Sequence, residues 1–269
     1  MYVACSKVTT AAVLFIIAKK FIPTTAPDPK DDIAIELKRL ETVKLKPKFY
    51  EQRLPCTTMK IISNNVQSLN AHVTHITNDQ VYMTSDIILL SETWTTENQQ
   101  FDIPGFTEIA RVNITELTSS RAYGAMCLVN DKLNQSTTFK KIQLLNTSNE
   151  GSISIAGFTS PTLPVLSVYI SPKFKLDDAL PIIESCISNN KRIILAGDFN
   201  VDFNIESSAR TKLLQLLDIY NMHTAMPDDM KSTTNNGTFI DNVFTNFTVQ
   251  EGGRYISFTS YHDPLYITF

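Results

Sequence analysis

Five apolar runs of this 269-residue chain stop at residues able to hold metal ions and phosphate. KIIS runs into Asn64 and Asn65, IILLS into Glu92, and RIILAG into Asp198, with Asn200 two places on. Asp241 and Asn242 sit inside FIDNVFTN, and His262 and Asp263 precede PLYITF. A carboxylate at the end of an apolar strand is costly to bury unless it is paired, hydrogen-bonded or bound to metal. One polar strand end is an ordinary cap or turn. Five in one domain point to strand ends facing a shared crevice. The chemistry that fits is metal-assisted phosphoester hydrolysis. A hard cation such as Mg²⁺ takes carboxylate oxygens and stabilises charge developing on a phosphoryl oxygen. Asp can orient or deprotonate the attacking water, and His can hydrogen-bond or protonate the crowded phosphate.

Positioning such a set requires several aligned strands. From Met59 onward, apolar runs of strand length recur: KIISNNV, DIILLSE, AYGAMCLVN, SISIAGF, LPVLSVYI, RIILAGDFN, FIDNVFTN and PLYITF. Residues 70–84, 174–190 and 207–220 carry helical spacing, and Leu213, Leu214, Leu216 and Leu217 make one apolar face. Ile- and Val-rich strands separated by helices and short turns predict a layered α/β domain.

Composition agrees with a globular core: 43% of residues are apolar and 19% charged. The four cysteines, Cys5, Cys56, Cys127 and Cys186, include no C-x-x-C pair, which fits reduced intracellular thiols better than a zinc site or disulfide scaffold. The net charge of −3 is unevenly spread. Residues 1–50 hold 9 Lys/Arg against 5 Asp/Glu, whereas residues 51–269 hold 15 against 22. An acidic main domain is not that of a protein gripping phosphates with clustered cations. It suits carboxylates converging on a divalent ion. Arg111, Arg121, Lys140, Lys141 and Lys173 are the cations that would flank a duplex groove.

The amino-terminal run AAVLFIIA is far shorter than the ~20 residues a membrane span needs, and no small-residue cleavage site follows it. Neither secretion nor membrane insertion is expected. The five Asn-x-Ser/Thr sequons are close to a chance number. Residues 23–31 hold three prolines and read as a break, 33–45 as an amphipathic helix, and 46–56 as a linker.

In sequence order, residues 59–269 resemble the endonuclease/exonuclease/phosphatase superfamily of DNase I and non-LTR retrotransposon endonucleases. IISNNVQSLNAH is similar to its opening strand, DIILLSETW to the segment holding its metal-binding glutamate, and LSVYISP to the strand with its active-site tyrosine. LAGDFNVD is the most specific piece, followed by GTFIDNVFTN and SYHDPLYI. The resemblance implies a four-layer α/β/β/α sandwich of two mixed sheets. It implies Mg²⁺ or Mn²⁺ held by Glu92 and Asn65, with Gln67 as a further neutral ligand. Asp198, Asp241, His262 and Tyr169 would be catalytic, and Asn65 and Asn200 would bind the substrate phosphate.

Two positions depart from the family pattern. Gln67 stands where an acid is usual, a place at which transposon members of the family vary, and Tyr261 stands where an Asp normally precedes the catalytic His; impaired activity is expected from the second. Asp263 lies on the other side of the His and is no automatic replacement, since neighbouring strand residues point to opposite faces. MYVACSKVTTAAVLFI and IAIELKRLE resemble the last motif and tail of superfamily 1B helicases encoded by Helitron transposons. Residues 1–45 are thus expected to be a helicase remnant, unable to hydrolyse ATP without a G-x-x-x-x-G-K-[ST] loop. Residues 57–269 are expected to be a monomeric, nuclear, DNA-cleaving domain of transposon origin. A phosphatase for small phosphoesters on the same fold, or a catalytically dead remnant, are the alternatives.

Overall fold

Lys60–Asn65 (β1) and Ile87–Ser91 (β2) run parallel, joined by helices Leu69–Asn78 (α1) and Gln80–Met83 (α2). The computed structural model describes residues 58–113, 123–187, 192–257 and 260–269. The helicase-like segment, the linker, Cys5, Cys56 and Arg121 lie outside these residues. Each helix starts at a side-chain cap, since Ser68 accepts the Ala71 N–H and Asp79 accepts the Val81 N–H. Phe106–Val112 (β3) and Ala125–Asn130 (β4) form an antiparallel pair beside β2.

A second sheet begins with Lys140–Thr147 (β5), after the short helix Asp131–Ser136 (α3). Ser152–Thr159 (β6) and Val165–Ile170 (β7) continue it as antiparallel neighbours. Helix Leu176–Ile187 (α4) crosses over to Ile194–Asp198 (β8), parallel to β7. Helix Ser208–Ile219 (α5) leads to His223–Thr224 (β9) and Asp241–Thr245 (β10). The chain then returns to the first sheet as Glu251–Arg254 (β11) and Leu265–Thr268 (β12). The sheet orders are β11-β12-β1-β2-β4-β3 and β5-β6-β7-β8-β10-β9.

Strand alternation explains why the inner runs look continuously apolar. Ile61, Ile87, Leu89, Cys127 and Val129 belong to the core shared with the second sheet. Ile62, Ile88, Leu90, Met126 and Leu128 pack instead with Leu69, Ile76 and Tyr82 of α1 and α2. Both faces are buried, so no polar alternation appears. On the second sheet, α4 and α5 contribute Ala179, Ile183, Ile187, Leu213 and Leu217 to the larger core. Cys127 and Cys186 are buried free thiols. The Ser167 hydroxyl of β7 donates to the Leu90 carbonyl of β2 at 3.0 Å, a polar tie between the sheets.

The two six-stranded mixed sheets make the DNase I-like α/β sandwich expected from the sequence. The three helical stretches also fall where spacing placed them. All eight apolar runs become interior strands, while β3, β5, β9 and β11, the four sheet edges, were not anticipated. An edge is half-exposed and needs no apolar run; in β5, Lys140, Lys141, Gln143, Leu144, Asn146 and Thr147 are exposed.

Gly197, inside LAGD, sits at φ +143°, and a Cβ there would lie 1.9 Å from the Val168 carbonyl oxygen of β7. Backbone cannot move aside as a side-chain tip can. Gly197→Ala should therefore cost about 3 kcal/mol, the upper range of overpacking. Urea denaturation checks this, and an unchanged midpoint would show that β7 and β8 are not held this closely.

Candidate active site

The parallel pairing of β1 and β2 sets Asn65 opposite Ser91, so Glu92 emerges beside Asn65. In the other sheet, Asp198 closes β8 with Tyr169 across from it on β7 and Asp241 across from it on β10. Tyr169, Asp198 and Asp241 thus form a cross-strand row. The Asn65 side chain joins the two sheets. Its Nδ2 donates to Glu92 Oε1 at 2.9 Å and to Asp198 Oδ2 at 2.8 Å.

Each remaining side chain has an identifiable holder. Asn200, in a left-handed turn at φ +50°, donates its backbone N–H to Asp198 Oδ1 at 2.9 Å and its Nδ2 to the Ile170 carbonyl at 2.7 Å. Asp241 Oδ2 accepts from the Thr233 hydroxyl at 2.8 Å and lies 2.7 Å from His262 Nδ1. The Ser260 hydroxyl donates to the Asn65 carbonyl at 2.5 Å and accepts the His262 N–H at 3.1 Å, fastening the His262 segment to β1. Trp94 Nε1 donates to Glu92 Oε2 at 3.3 Å. Gln67 enters through its backbone, its N–H donating to Asn65 Oδ1 at 3.2 Å.

Local strain collects here. Among the described residues six non-glycines have positive φ, and Gln67, Glu92, Trp94 and Asn200 are four of them. Such conformations cost of order 1–3 kcal/mol each and persist where surrounding contacts over-determine them.

The site is acidic and buried. Glu92, Asp198, Asp241 and His262 are all buried. Burial, then the neighbouring Asp241 charge, pushes the Asp198 carboxyl well above the usual carboxylate range. For His262 burial pulls the pKa down, but Asp241, Asp198 and Glu92 together outweigh it, and the net direction is up. Burial, followed by Glu92 and Asp198, raises Tyr169, so its phenol keeps its proton as a donor toward Glu92.

One ligand atom each from Glu92, Asp198 and His262 lies within 4.8 Å of the others. His262 Nε2 is buried without a hydrogen-bond partner, because Nδ1 faces Asp241. The amide of Asn65 offsets only part of the carboxylate charge. Buried carboxylates short of counter-charge, with an unsatisfied nitrogen beside them, are a donor set that fits a divalent cation and an anionic substrate.

The structure brings together Asn65, Glu92, Tyr169, Asp198, Asn200, Asp241 and His262. Asp263 is held instead in an ion pair with Arg254 at 2.7 Å, and it lies before β12, outside any strand, so the alternation argued from the sequence does not apply there. Among the described residues, the cations that would flank a duplex groove are not gathered at the site. Strand register puts Lys140 and Lys141 at the end of the sheet opposite Asp198. Arg111 is paired with Glu108 and donates to the Gln99 carbonyl. Only Lys173, exposed just after β7, stands at the site end among those described. Thr233 and Ser260 are supports that no sequence signal marked. A cavity of about 650 Å³ beside α5, walled by Phe203, Leu214, Met226 and Phe244, shares none of the site residues.

Residues 55–262 match the model of the Endonuclease/Exonuclease/phosphatase family, and the chain belongs to that family. No curated protein sequence matches it. Among solved structures it is similar to the endonuclease domain of TRAS1, a telomere-specific non-LTR retrotransposon, with TM-score 0.57 and 16% identity over 79% of this chain and 98% of that one. The 3′-5′ exonuclease NExo from Neisseria meningitidis gives 0.58 and 16%, over 78% and 98%. D. rerio TDP2 complexed with a single-strand DNA product gives 0.53 and 14%, over 79% and 98%.

A histidine whose pKa is raised by folding stabilises the native state fully below its unfolded value, and that contribution is lost as pH rises through the folded value. For His262 the loss begins near 6.5 and extends upward. The raised Asp198 acts with the same sign from 3.8 upward. Metal-free stability should therefore fall with rising pH across both windows. Asp241→Asn should flatten the upper one, as read from urea midpoints between about pH 6 and 9; a wild-type slope in that variant would mean Asp241 does not hold the imidazolium.

Proposed function

We propose that this chain is a divalent-metal-dependent endonuclease that hydrolyses DNA phosphodiester bonds. The observation that carries the reading is the buried meeting of Glu92, Asp198 and His262 around one small space, with Nε2 of the histidine left open. The similarity to the TRAS1 endonuclease domain and to a TDP2 complex with a DNA product supports nucleic acid as substrate. Transposon origin is supported by the first of these and by the helicase-like residues 1–45. The same reading has the protein act as a monomer in the nucleus, with Mg²⁺ or Mn²⁺. No helix among the described residues is long and apolar enough to cross a membrane.

Glu92, with Asn65 and with Gln67 nearby, would hold the cation, which when bound supplies Lewis-acid stabilisation of charge on the phosphoryl oxygens. Asp198 is placed to orient and deprotonate the attacking water, its elevated pKa lying closer to that task than an ordinary aspartate's. Asn200 fixes Asp198 Oδ1 through its backbone and stands beside the phosphate position. Asp241 holds Nδ1, so Nε2 presents its proton or lone pair toward the phosphate. Tyr169 donates within the same wall. Tyr261 provides no carboxylate where the family usually has one, and turnover is accordingly slow.

Incubation with supercoiled plasmid and Mg²⁺ tests the reading. Wild type should nick, and EDTA should abolish nicking. Glu92→Gln should lose metal affinity and activity together. Asp198→Asn should slow the chemical step by ~10²–10⁴-fold, with a smaller loss of metal affinity than Glu92→Gln. Tyr261→Asp should nick faster while still requiring metal. Release of inorganic phosphate from an inositol phosphate with no nicking would install the phosphatase reading. Inactivity of wild type and Tyr261→Asp on supercoiled, apurinic and single-stranded DNA would leave a dead site.

Residues 57–269 alone should melt within a few degrees of the full chain and nick equally well. A larger drop in melting temperature would show that the first 56 residues have become part of the fold.

A further inference from the structure

We propose that Trp94 and Tyr261 form an aromatic rim that stacks unpaired bases beside the scissile phosphate, making single-stranded or locally unpaired nucleic acid the substrate of this site. This rests on the hydrolase reading only for where the phosphate sits. Each ring is one contact from the buried trio. The Trp94 indole N–H reaches Glu92 Oε2 at 3.3 Å, and the Tyr261 ring lies 4.2 Å from the His262 ring, tilted by 38°. Yet neither ring is taken into the core. Tyr261 is 38% exposed and Trp94 half-buried, whereas Tyr169 and Tyr82 are closed off. Large apolar rings kept at the mouth of an ionic site do little for the fold and present a surface to a ligand.

The backbone that carries each ring is held in place beforehand. Trp94 occupies φ +53°, with its N–H donating to the Tyr123 carbonyl at 3.0 Å. That turn closes against Gly124, where a Cβ would meet the Thr93 hydroxyl at 2.5 Å. The Tyr261 carbonyl accepts the Asn235 N–H at 2.9 Å, and its neighbour Ser260 is bonded to β1. With the backbone fixed, and the Trp94 indole on Glu92 and the Tyr261 ring against His262, less freedom is left to lose when a base stacks on them.

Charge separates strand types. Duplex binding draws its affinity from Lys and Arg meeting phosphates. Of the described candidates, Lys140 and Lys141 stand at the far end of the sheet and Arg111 is engaged with Glu108, which leaves Lys173 alone at the site end. Stacking on rings adds affinity beyond that of the cations, and it needs bases free of their partners. A small phosphoester lacking a flat ring would make no use of either aromatic.

Trp94 is the only tryptophan of the chain, so its fluorescence reports the site directly. The full chain carrying Asp198→Asn, in Mg²⁺, is titrated with a ~12-nucleotide oligo(dT), with a blunt duplex of equal length, and with inositol hexakisphosphate. Saturable quenching by oligo(dT), at least tenfold tighter than by duplex and absent with the inositol phosphate, is expected. Anisotropy of labelled oligo(dT) should show Trp94→Leu and Tyr261→Leu each weakening binding about tenfold. Trp94→Phe and Tyr261→Phe, which keep the rings, should bind as the parent does and confirm that the fold is intact. Equal affinity for duplex, or Leu variants that bind like their Phe counterparts, would overturn the proposal even if wild type nicks plasmid. Stacking of oligo(dT) by a protein that hydrolyses no DNA would instead keep the rim and defeat the endonuclease reading.

Discussion

One amide side chain spans the two sheets at the site, and the active-site geometry depends on it. Asn65 Nδ2 donates to a carboxylate of each sheet, Glu92 and Asp198, and so requires β1 and β8 to end at the same height. The Ser167–Leu90 bond makes a second polar demand on the same alignment. Bulk apolar packing is tolerant of small slides between sheets, because hydrophobic burial is non-directional. Hydrogen bonds shorter than 3 Å are not. The register that aligns the carboxylates is thus specified by polar groups inside an otherwise apolar sandwich.

That arrangement concentrates negative charge where water is scarce. Three buried carboxylates face one imidazole, and the consequences run in one direction: Asp198 and His262 both hold protons more tightly than usual. These two groups therefore favour the metal-free native state less as pH rises, and a bound cation would relieve the same repulsion that folding creates. The left-handed backbone at Gln67, Glu92, Trp94 and Asn200 adds a further cost at the same spot. Cores on both faces of each sheet offset these local penalties. Stability and site are in this sense opposed, with the sandwich supplying what the crevice spends.

Tyr261 shows how one position can shift a site's character. A carboxylate there would have added a fourth acid beside His262. The phenol instead leaves a partly exposed ring against His262. Such a site has one carboxylate fewer and one ring more.

Much of this was legible in the chain itself. The eight interior strands announced themselves because both of their faces are buried, and Asn65, Glu92, Asp198, Asp241 and His262 stood out as polar ends of those runs. Their order along the chain carried the family resemblance. The edge strands were silent, since a half-exposed strand needs no apolar run. Thr233 and Ser260 were silent too, because a hydroxyl that supports a neighbour has no signature of its own. Residue types alone could not say that Lys140 and Lys141 lie at the wrong end of the sheet, or that Arg111 is already engaged. Sequence periodicity determined which residues are buried and which cap a strand, because alternation and apolar runs are local properties. Which capped ends meet, which cations miss them, and which aromatic rings stay at the mouth were decided by strand order and register, which come into being only when distant segments pair.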